Sequence, residues 1–269
     1  MLRLFRDGLR NTSRPAPRPG RASSLEIRHD GSTYKVVLKR VASARRYTLR
    51  VKNVTGEVVL TMPIRGSLKE AQAFAERQGA WIGARLRRLP QAIPFAPGAT
   101  IPLRGVAHEI VHRPGRRGTV WIEAPEAQFP EGQAALCVAG DRAHVERRVR
   151  DYLKREAKRD LEAAVLHYTR ELKLPTRSVG LRDTTSRWGS CSSEGSLNFS
   201  WRLILAPAYV LDYLAAHEVA HLVHMNHSAR FWTLTQKLCP ATERAEAWLK
   251  AQGKELHRYG ETKPATLPQ

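Results

Sequence analysis

The sequence predicts an α+β fold, in which a β-rich N-terminal half with one helix is followed by a half built mainly of helices. Short apolar runs separated by Gly and Pro recur between residues 25 and 138, a pattern typical of strands. The composition changes near Asp141, and residues 143–173 contain neither Gly nor Pro, which indicates one long helix. A chain of 269 residues, 42% of them hydrophobic, can bury a core in each half.

Composition divides the chain into four segments. We expect a basic arm at 1–24, a β-rich domain at 25–140, a helix-rich domain at 141–260 and a tail at 261–269. The arm carries six arginines against one acidic residue, Asp7, together with three prolines. Such a composition predicts disorder, although an Arg-rich and acid-poor segment also resembles an organellar transit peptide.

In the β-rich half, strand-like runs lie on both sides of a single predicted helix. The runs are Leu25–Lys39, Tyr47–Val51, Val58–Met62, Ile101–Leu103, Glu109–Val111, Thr119–Ile122 and Leu136–Val138. The second and third runs flank a turn at Gly56 and predict a hairpin, and the last four predict a second small β layer. The helix should run from Ser67 to Leu86, with Ser67 and Glu70 as a capping box and Pro90 beyond its end.

After the long helix, the pattern predicts a β-hairpin and three more helices. The elements are an extended Ser178–Cys191, a turn at Ser192–Gly195, an alternating run Leu197–Leu205, a helix from Pro207, and helices at Phe231–Leu238 and Ala241–Gln252. Pro207 suits the first turn of its helix because its missing N–H would have no partner there. On that helix Leu214 and His217 share the inner face, toward the hairpin.

One stretch of the helix after Pro207, from His217 to His221, has the form H-E-x-x-H. Positions i and i+4 lie on one helix face, one turn apart, so these two imidazoles can bind one Zn²⁺. Glu218 lies one step round the helix, where it suits a water molecule rather than the metal. The stretch therefore predicts a site in which zinc lowers the pKa of water toward ~7 and Glu218 moves the proton.

A third metal ligand must come from further along the chain, and two histidines compete for this role. His227 follows His221 at the spacing of the metzincin pattern H-E-x-x-H-x-x-G-x-x-H, with His224 in place of the glycine. Three successive turns of one straight helix reach a single ion poorly, so we expect His217, His221 and His227 as ligands. We expect the helix to continue about one residue beyond His224, with Asn226 in the left-handed conformation.

The net charge of +20 predicts attraction to polyanions such as nucleic acid, nucleotides or acidic proteins. A basic strip on the long helix could face phosphates or could be a solvated surface. Its members are Arg147, Arg148, Arg150, Lys154, Arg155, Lys158 and Arg159. No apolar run approaches 18 residues, so no transmembrane segment is predicted, and the three cysteines, with no C-x-x-C pair, suit a cytoplasmic protein.

Four sequence blocks together resemble the YgjP-like metallopeptidase family, which is related to SprT-like and Wss-type proteases. The blocks are Arg187-Trp-Gly-Ser-Cys191, Asn198-Phe-Ser-Trp-Arg-Leu-Ile-Leu-Ala-Pro207, His217-Glu-Val-Ala-His221, and Asn226-His-Ser228 with Phe231-Trp232. The resemblance covers about residues 140–260 and departs from the family pattern at Ser200 and Val219. It implies a zincin-like C-terminal domain, with Zn²⁺ held by His217, His221 and His227 and with Glu218 as the catalytic acid and base.

These observations predict a zinc-dependent metallohydrolase, most directly a cytoplasmic metallopeptidase that acts on peptide or protein substrates. The hairpin that carries Arg187 and Ser190 is the candidate for binding extended substrate by strand addition, and His224 is a further candidate substrate contact. We interpret Trp188 as a core residue and Gly189 as a tight turn. Two alternatives stay open: a metal-dependent nucleotide phosphohydrolase, despite the lack of a P-loop pattern, and a nucleic-acid-associated protease or binding protein.

Overall fold

The computed structural model describes residues 24–52, 56–89, 91–124 and 134–260. The described residues form two compact units, one through Arg88 and one from Leu89 onward. Both contain strands and helices, so the α+β class is confirmed. All but the last residue of the predicted basic arm, and the whole predicted tail at 261–269, lie outside the described residues.

The first unit is a mixed four-stranded sheet with two helices. Its elements are β1 (Ser24–His29), β2 (Ser32–Val41), β3 (Thr48–Val51), β4 (Val58–Pro63), α1 (Leu68–Arg77) and α2 (Gly79–Arg87). The strand order is β1-β2-β4-β3, and β3 pairs antiparallel with β4 as the hairpin pattern predicted. Alternate residues of β2 and β4, among them Val36, Leu60 and Met62, are fully buried and form the core of this unit.

The single helix predicted between Ser67 and Leu86 is two helices, because the chain breaks at Gln78 before α2 begins at Gly79. A Cβ atom at Gly79 would lie 2.6 Å from the Cβ of His29 on β1, so this glycine lets the chain approach the strand closely. The predicted capping box does not form, since the Ser67 side chain makes no capping hydrogen bond. The Glu70 carboxylate instead accepts a hydrogen bond from the Tyr47 hydroxyl at 2.8 Å.

The second unit begins with the predicted β layer, another mixed four-stranded sheet. Its strands are β5 (Thr100–Leu103), β6 (Val106–His112), β7 (Val120–Glu123) and β8 (Ala134–Val138), in the order β5-β6-β8-β7. Apolar side chains of this sheet, such as Ile101 and Leu136, belong to the same buried core as Leu153 of the long helix. The compact units therefore divide after Arg88, although the composition changes most strongly near Asp141.

The long helix, α3, spans Val145–Leu172 and ends where Lys173 adopts the left-handed conformation. Several residues of its predicted basic strip are paired with carboxylates one turn away on the same helix. The pairs are Arg147–Asp151, Arg150–Glu146, Lys158–Glu162 and Arg159–Glu156. Pairing of this kind is typical of a solvated helix surface and leaves less charge for phosphates.

A small three-stranded sheet follows, with β9 (Ser178–Arg182), β10 (Gly189–Cys191) and β11 (Ser196–Ser200) in the order β10-β11-β9. The strands β10 and β11 form the predicted hairpin. The predicted alternation up to Leu205 is wrong beyond Ser200, where Trp201–Leu205 form a 3₁₀ turn. All five residues of this turn are buried, so its apolar run reflects complete burial and not a strand with one covered face.

Three helices complete the second unit: α4 (Ala208–Ala220), α5 (Ala229–Leu238) and α6 (Thr242–Gln252). From Val210 to Ala220, every residue of α4 except Asp212 and His217 is buried. The expected continuation of α4 past His224 is wrong, and Asn226 is not left-handed, because the helix already ends at Ala220. No helix in the described ranges is long and apolar enough to span a bilayer.

Candidate metal centre and active site

The last turn of α4 and the turn that follows it carry the H-E-x-x-H residues. His217 and Glu218 lie inside the helix, and His221 is its C-cap residue. Backbone N–H groups of Leu222 and Val223 donate to the carbonyls three residues earlier, at 3.0 and 3.1 Å, so the helix tightens and stops. This early end allows the chain to turn back toward the two histidines.

His227 returns to the helix end because α5 begins directly after it. The Ser228 hydroxyl caps α5 by accepting from the Phe231 N–H. The Nε2 atoms of His227 and His217 are 3.2 Å apart, and ligand atoms of these two residues and His221 all lie within 4.8 Å of one another. His224 does not join this cluster, and its backbone oxygen instead contacts the Nδ1 atom of His221 at 3.0 Å.

The three-histidine cluster fits a tetrahedral zinc ion. Two nitrogens that each lie 2.0–2.1 Å from a tetrahedral zinc are roughly 3.4 Å apart, close to the spacing between His217 and His227. The Nδ1 atom of His221 donates to the His224 carbonyl, which leaves Nε2 of His221 available as a ligand. The donor set has the chemistry of a catalytic zinc site with one open position.

A hydrogen-bond chain behind His217 fixes the orientation of its ring. The Tyr213 hydroxyl donates to the Glu246 carboxylate at 3.0 Å, so its oxygen accepts from the Nδ1–H of His217 at 3.2 Å. Tyr213 is buried, and burial together with the nearby Glu246 charge raises the pKa of its hydroxyl. Tyr213 and Glu246 were missed from the sequence, although the spacing of four between Tyr213 and His217 was a usable signal.

Aromatic side chains of α5 enclose the histidine cluster on one side. The Phe231 ring stacks on His221 with centroids 4.5 Å apart, and the Trp232 ring stacks on His227 at 5.7 Å. Burial is the main reason that the pKa of His217 is lowered to about 4, and the neighbouring His221 and His227 contribute to this decrease. His217 is therefore neutral at pH 7, which is the form that binds a metal ion.

Glu218 is only 4% exposed, and its Oε2 atom has no hydrogen-bond partner in the described part of the chain. Burial raises the pKa of this carboxyl to about 8, against the opposing attraction of the Arg187 charge. A buried carboxylate oxygen without a hydrogen-bond partner is rare in folded proteins and indicates a functional role rather than a structural one. Its place beside the histidine cluster suits a proton acceptor.

Gly189 of β10 lies directly against Glu218, and sequence reasoning misplaced it as a tight turn. It is a strand residue paired with Phe199, and a Cβ atom there would lie 2.7 Å from Cδ and 2.8 Å from Cγ of Glu218. A glycine within a strand pattern indicates close approach, which was the available signal. Trp188 packs against the core and stacks on His257 at 5.0 Å.

The other candidate substrate contacts are Arg187, Ser190 and His224. Arg187 and Ser190 line a pocket beside β10, whereas His224 does not line it. Arg187 is exposed, and Ser190 lies on β10 opposite Asn198. The structure thus places two of the three candidates next to the strand that touches Glu218.

The chain is similar to one described protein family. The model of the YgjP-like family, metallopeptidase domain, matches residues 45–252. No curated protein matches the sequence. Among solved structures, the crystal structure of the metallopeptidase zymogen of Pyrococcus abyssi abylysin is 23% identical, with a TM-score of 0.32, over 37% of this chain and 97% of that chain.

Proposed function

Because the chain belongs to the YgjP-like metallopeptidase family, we propose that it is a zinc-dependent peptidase with Glu218 as its general base. The observation that carries the proposal is the buried Glu218 carboxylate, whose Oε2 has no partner among the described residues and which lies beside three clustered histidines. His217, His221 and His227 would hold the metal. When bound, zinc supplies a Lewis acid that acidifies water and polarises the attacked carbonyl.

The histidines would hold the metal, and Glu218 would transfer the proton. The three imidazoles would donate nitrogen lone pairs to the metal, and the Tyr213 hydroxyl keeps the ring of His217 in the tautomer that presents Nε2. The free Oε2 of Glu218 can accept a proton from the attacking water and later deliver it to the leaving amine. Because burial raises the pKa of this carboxyl, its carboxylate form is a stronger base toward the attacking water.

The substrate would lie along β10. Within the described sheet, β10 pairs only with β11, so its other edge is open to an added strand. Gly189 at the start of β10 touches Glu218, which brings a peptide bound at this edge to the reacting centre. Arg187 and Ser190 would contact side chains of that peptide, and His224 would lie beyond the histidine cluster.

The two alternatives from the sequence have no specific support in the described residues. The α3 strip, whose charge suggested phosphate binding, is largely paired with carboxylates of the same helix. Peptide or protein substrates therefore remain the proposal, and a cytoplasmic location remains a prediction from composition.

Metal content and cleavage of a quenched-fluorescence peptide library, measured on the same preparations, test the proposed function. We expect about one zinc per chain in the wild type and in Glu218→Gln, with cleavage lost in Glu218→Gln because amide nitrogen cannot accept the proton. Zinc should be lost in His217→Ala, His221→Ala and His227→Ala but kept in His224→Ala. Undiminished cleavage by Glu218→Gln, or zinc lost only in His224→Ala, would contradict the proposal.

A further inference from the structure

A polar pocket lies on the face of the β9–β11 sheet that points away from the core. Leu197 and Phe199 of β11 are buried in the core, so the alternate residues Asn198 and Ser200 belong to the opposite face. The polar side chains that line the pocket are Arg182, Thr184, Arg187, Ser190, Asn198 and Ser200. They come from the end of β9, the start of β10, the loop between these strands, and β11.

The two arginines of this pocket form no ion pair among the described residues. Both Arg182 and Arg187 are exposed, and Arg187 acts on the buried Glu218 carboxyl only through its charge. The adjacent carboxylate, Asp183, is already held by Arg202 through contacts of 2.7 and 3.2 Å. In addition, the Ser200 hydroxyl is buried without a hydrogen-bond partner. Two cations and a donor hydroxyl around one pocket favour a carboxylate ligand.

The pocket lies across β10 from the candidate catalytic glutamate, which contacts the face of Gly189 that Phe199 shares. Gly189 lines the pocket and also touches Glu218. The Thr184 hydroxyl donates a hydrogen bond to the Arg187 carbonyl at 2.8 Å, which stabilises the loop that carries Arg187. A peptide added to the free edge of β10 projects alternate side chains toward the same face as Ser190. One substrate side chain close to the cleaved bond would therefore enter the pocket.

From this geometry we propose that Arg182 and Arg187 form a specificity pocket for an acidic side chain, so that the enzyme selects peptides with Asp or Glu at one position near the cleaved bond. The proposal rests on the proposed peptidase function and names the substrate class of that same site. Arg187 lies nearer to Glu218, whereas Arg182 lies at the far end of the pocket, on β9. Arg182 is therefore the better residue with which to test selectivity alone.

Binding of matched peptides to the zinc-loaded Glu218→Gln variant tests the pocket without requiring cleavage. One series carries a single Glu moved stepwise through a neutral decapeptide, and the other carries Gln at the same positions. We expect Glu at one position to bind about 10-fold more tightly than Gln, because a charge-assisted contact is lost in the amide. Arg182→Gln should remove this preference, and Arg182→Glu should reverse it, so that Gln binds more tightly than Glu. Arg170→Gln, a matched change on the exposed surface of α3, should leave it unchanged.

The failures of the two proposals are distinguishable. Equal binding of the Glu and Gln series at every position, absence of binding by either series, or a preference that survives in both Arg182→Gln and Arg187→Gln would overturn the acidic pocket. Failure of the zinc-loaded wild type to cleave any peptide, together with a clear Glu preference in binding, would overturn peptidase activity while supporting the pocket. Unfolding temperatures of the arginine variants, which should match the wild type because both side chains are exposed, control for folding.

Discussion

Replacing Gly189 by alanine adds one methyl group at the point where β10 meets Glu218. The new Cβ would lie 2.7 Å from Cδ and 2.8 Å from Cγ of Glu218, and closer still to Oε1. Nonbonded carbon atoms normally pack at about 3.5–4.0 Å, so the glutamate or the strand must move by about 1 Å. The backbone of Gly189 does not have a positive φ, so alanine causes no backbone strain of its own.

The expected consequences differ for chemistry, stability and metal binding. A misplacement of about 1 Å at a catalytic group costs about 10²-fold in rate, so cleavage should fall by at least that factor. Overpacking of a buried contact costs about 1–3 kcal/mol, which corresponds to a decrease in unfolding temperature of roughly 2–12 °C. Zinc content should stay at the wild-type value because the added atom approaches Glu218 and not the three histidines.

Cleavage rate, unfolding temperature and zinc content measured side by side on Gly189→Ala test this reasoning. Gly115→Ala is the matched control, because a Cβ atom at Gly115 meets nothing within 4 Å. Adding Glu218→Asp to Gly189→Ala shortens the clashing side chain and should restore stability without restoring cleavage. Wild-type cleavage by Gly189→Ala, or an equal loss of stability in the double variant, would refute the contact between β10 and the Glu218 carboxylate.

Two further predictions follow from the surroundings of the site. Tyr213→Phe removes the hydroxyl between His217 and Glu246 and should weaken zinc binding about 10–100-fold in chelator competition, with folding retained; unchanged affinity would refute the orienting role. Burial and the Arg202 charge lower the pKa of His257 from 6.5 to about 4, so the unfolded chain binds a proton below pH 6.5 that the folded chain does not. The stability from neutral His257 is complete above pH 6.5 and is lost as the pH falls toward 4, which amounts to about 2 kcal/mol at pH 5. Urea unfolding measures the free energy of unfolding at pH 7.5 and at pH 5. The decrease in this free energy should be smaller by about this amount in His257→Phe than in the wild type, and equal decreases would show that His257 does not cause it.

Local patterns predicted most elements of this fold, and the misplaced boundaries have tertiary causes. The capping box at Ser67 and Glu70 was a sound local signal, but Tyr47, in the loop before β3, donates a hydrogen bond to the Glu70 carboxylate. The run Trp201–Leu205 resembles a strand because its residues are all buried, and burial from every side carries no periodicity. Contacts between residues far apart in sequence decided both cases, and a single sequence does not contain that information.

The site shows the same division between local and distant information. The helical spacing of His217 and His221 predicted that they lie on one face. The sequence spacing from His221 to His227 predicted a third residue, which the structure brings to the same cluster. The early end of α4 was not predictable, because it depends on where α5 starts and on how its aromatic rings pack. Gly189 was misinterpreted for a related reason, since its role is visible only when β10 lies against Glu218.

An H-E-x-x-H helix can present two histidines to a metal by itself, but it does not by itself raise the pKa of its glutamate. On a solvated helix the carboxyl of a glutamate has a pKa near 4.5, whereas burial raises the pKa of Glu218 to about 8. That burial needs a neighbouring backbone within contact distance, and only a residue without Cβ can come so close at Gly189. The helix motif and the R-W-G-S-C block therefore depend on each other: the end of α4 supplies two of the proposed metal ligands, and the glycine strand buries the carboxylate, which makes it a stronger base for the proposed proton transfer.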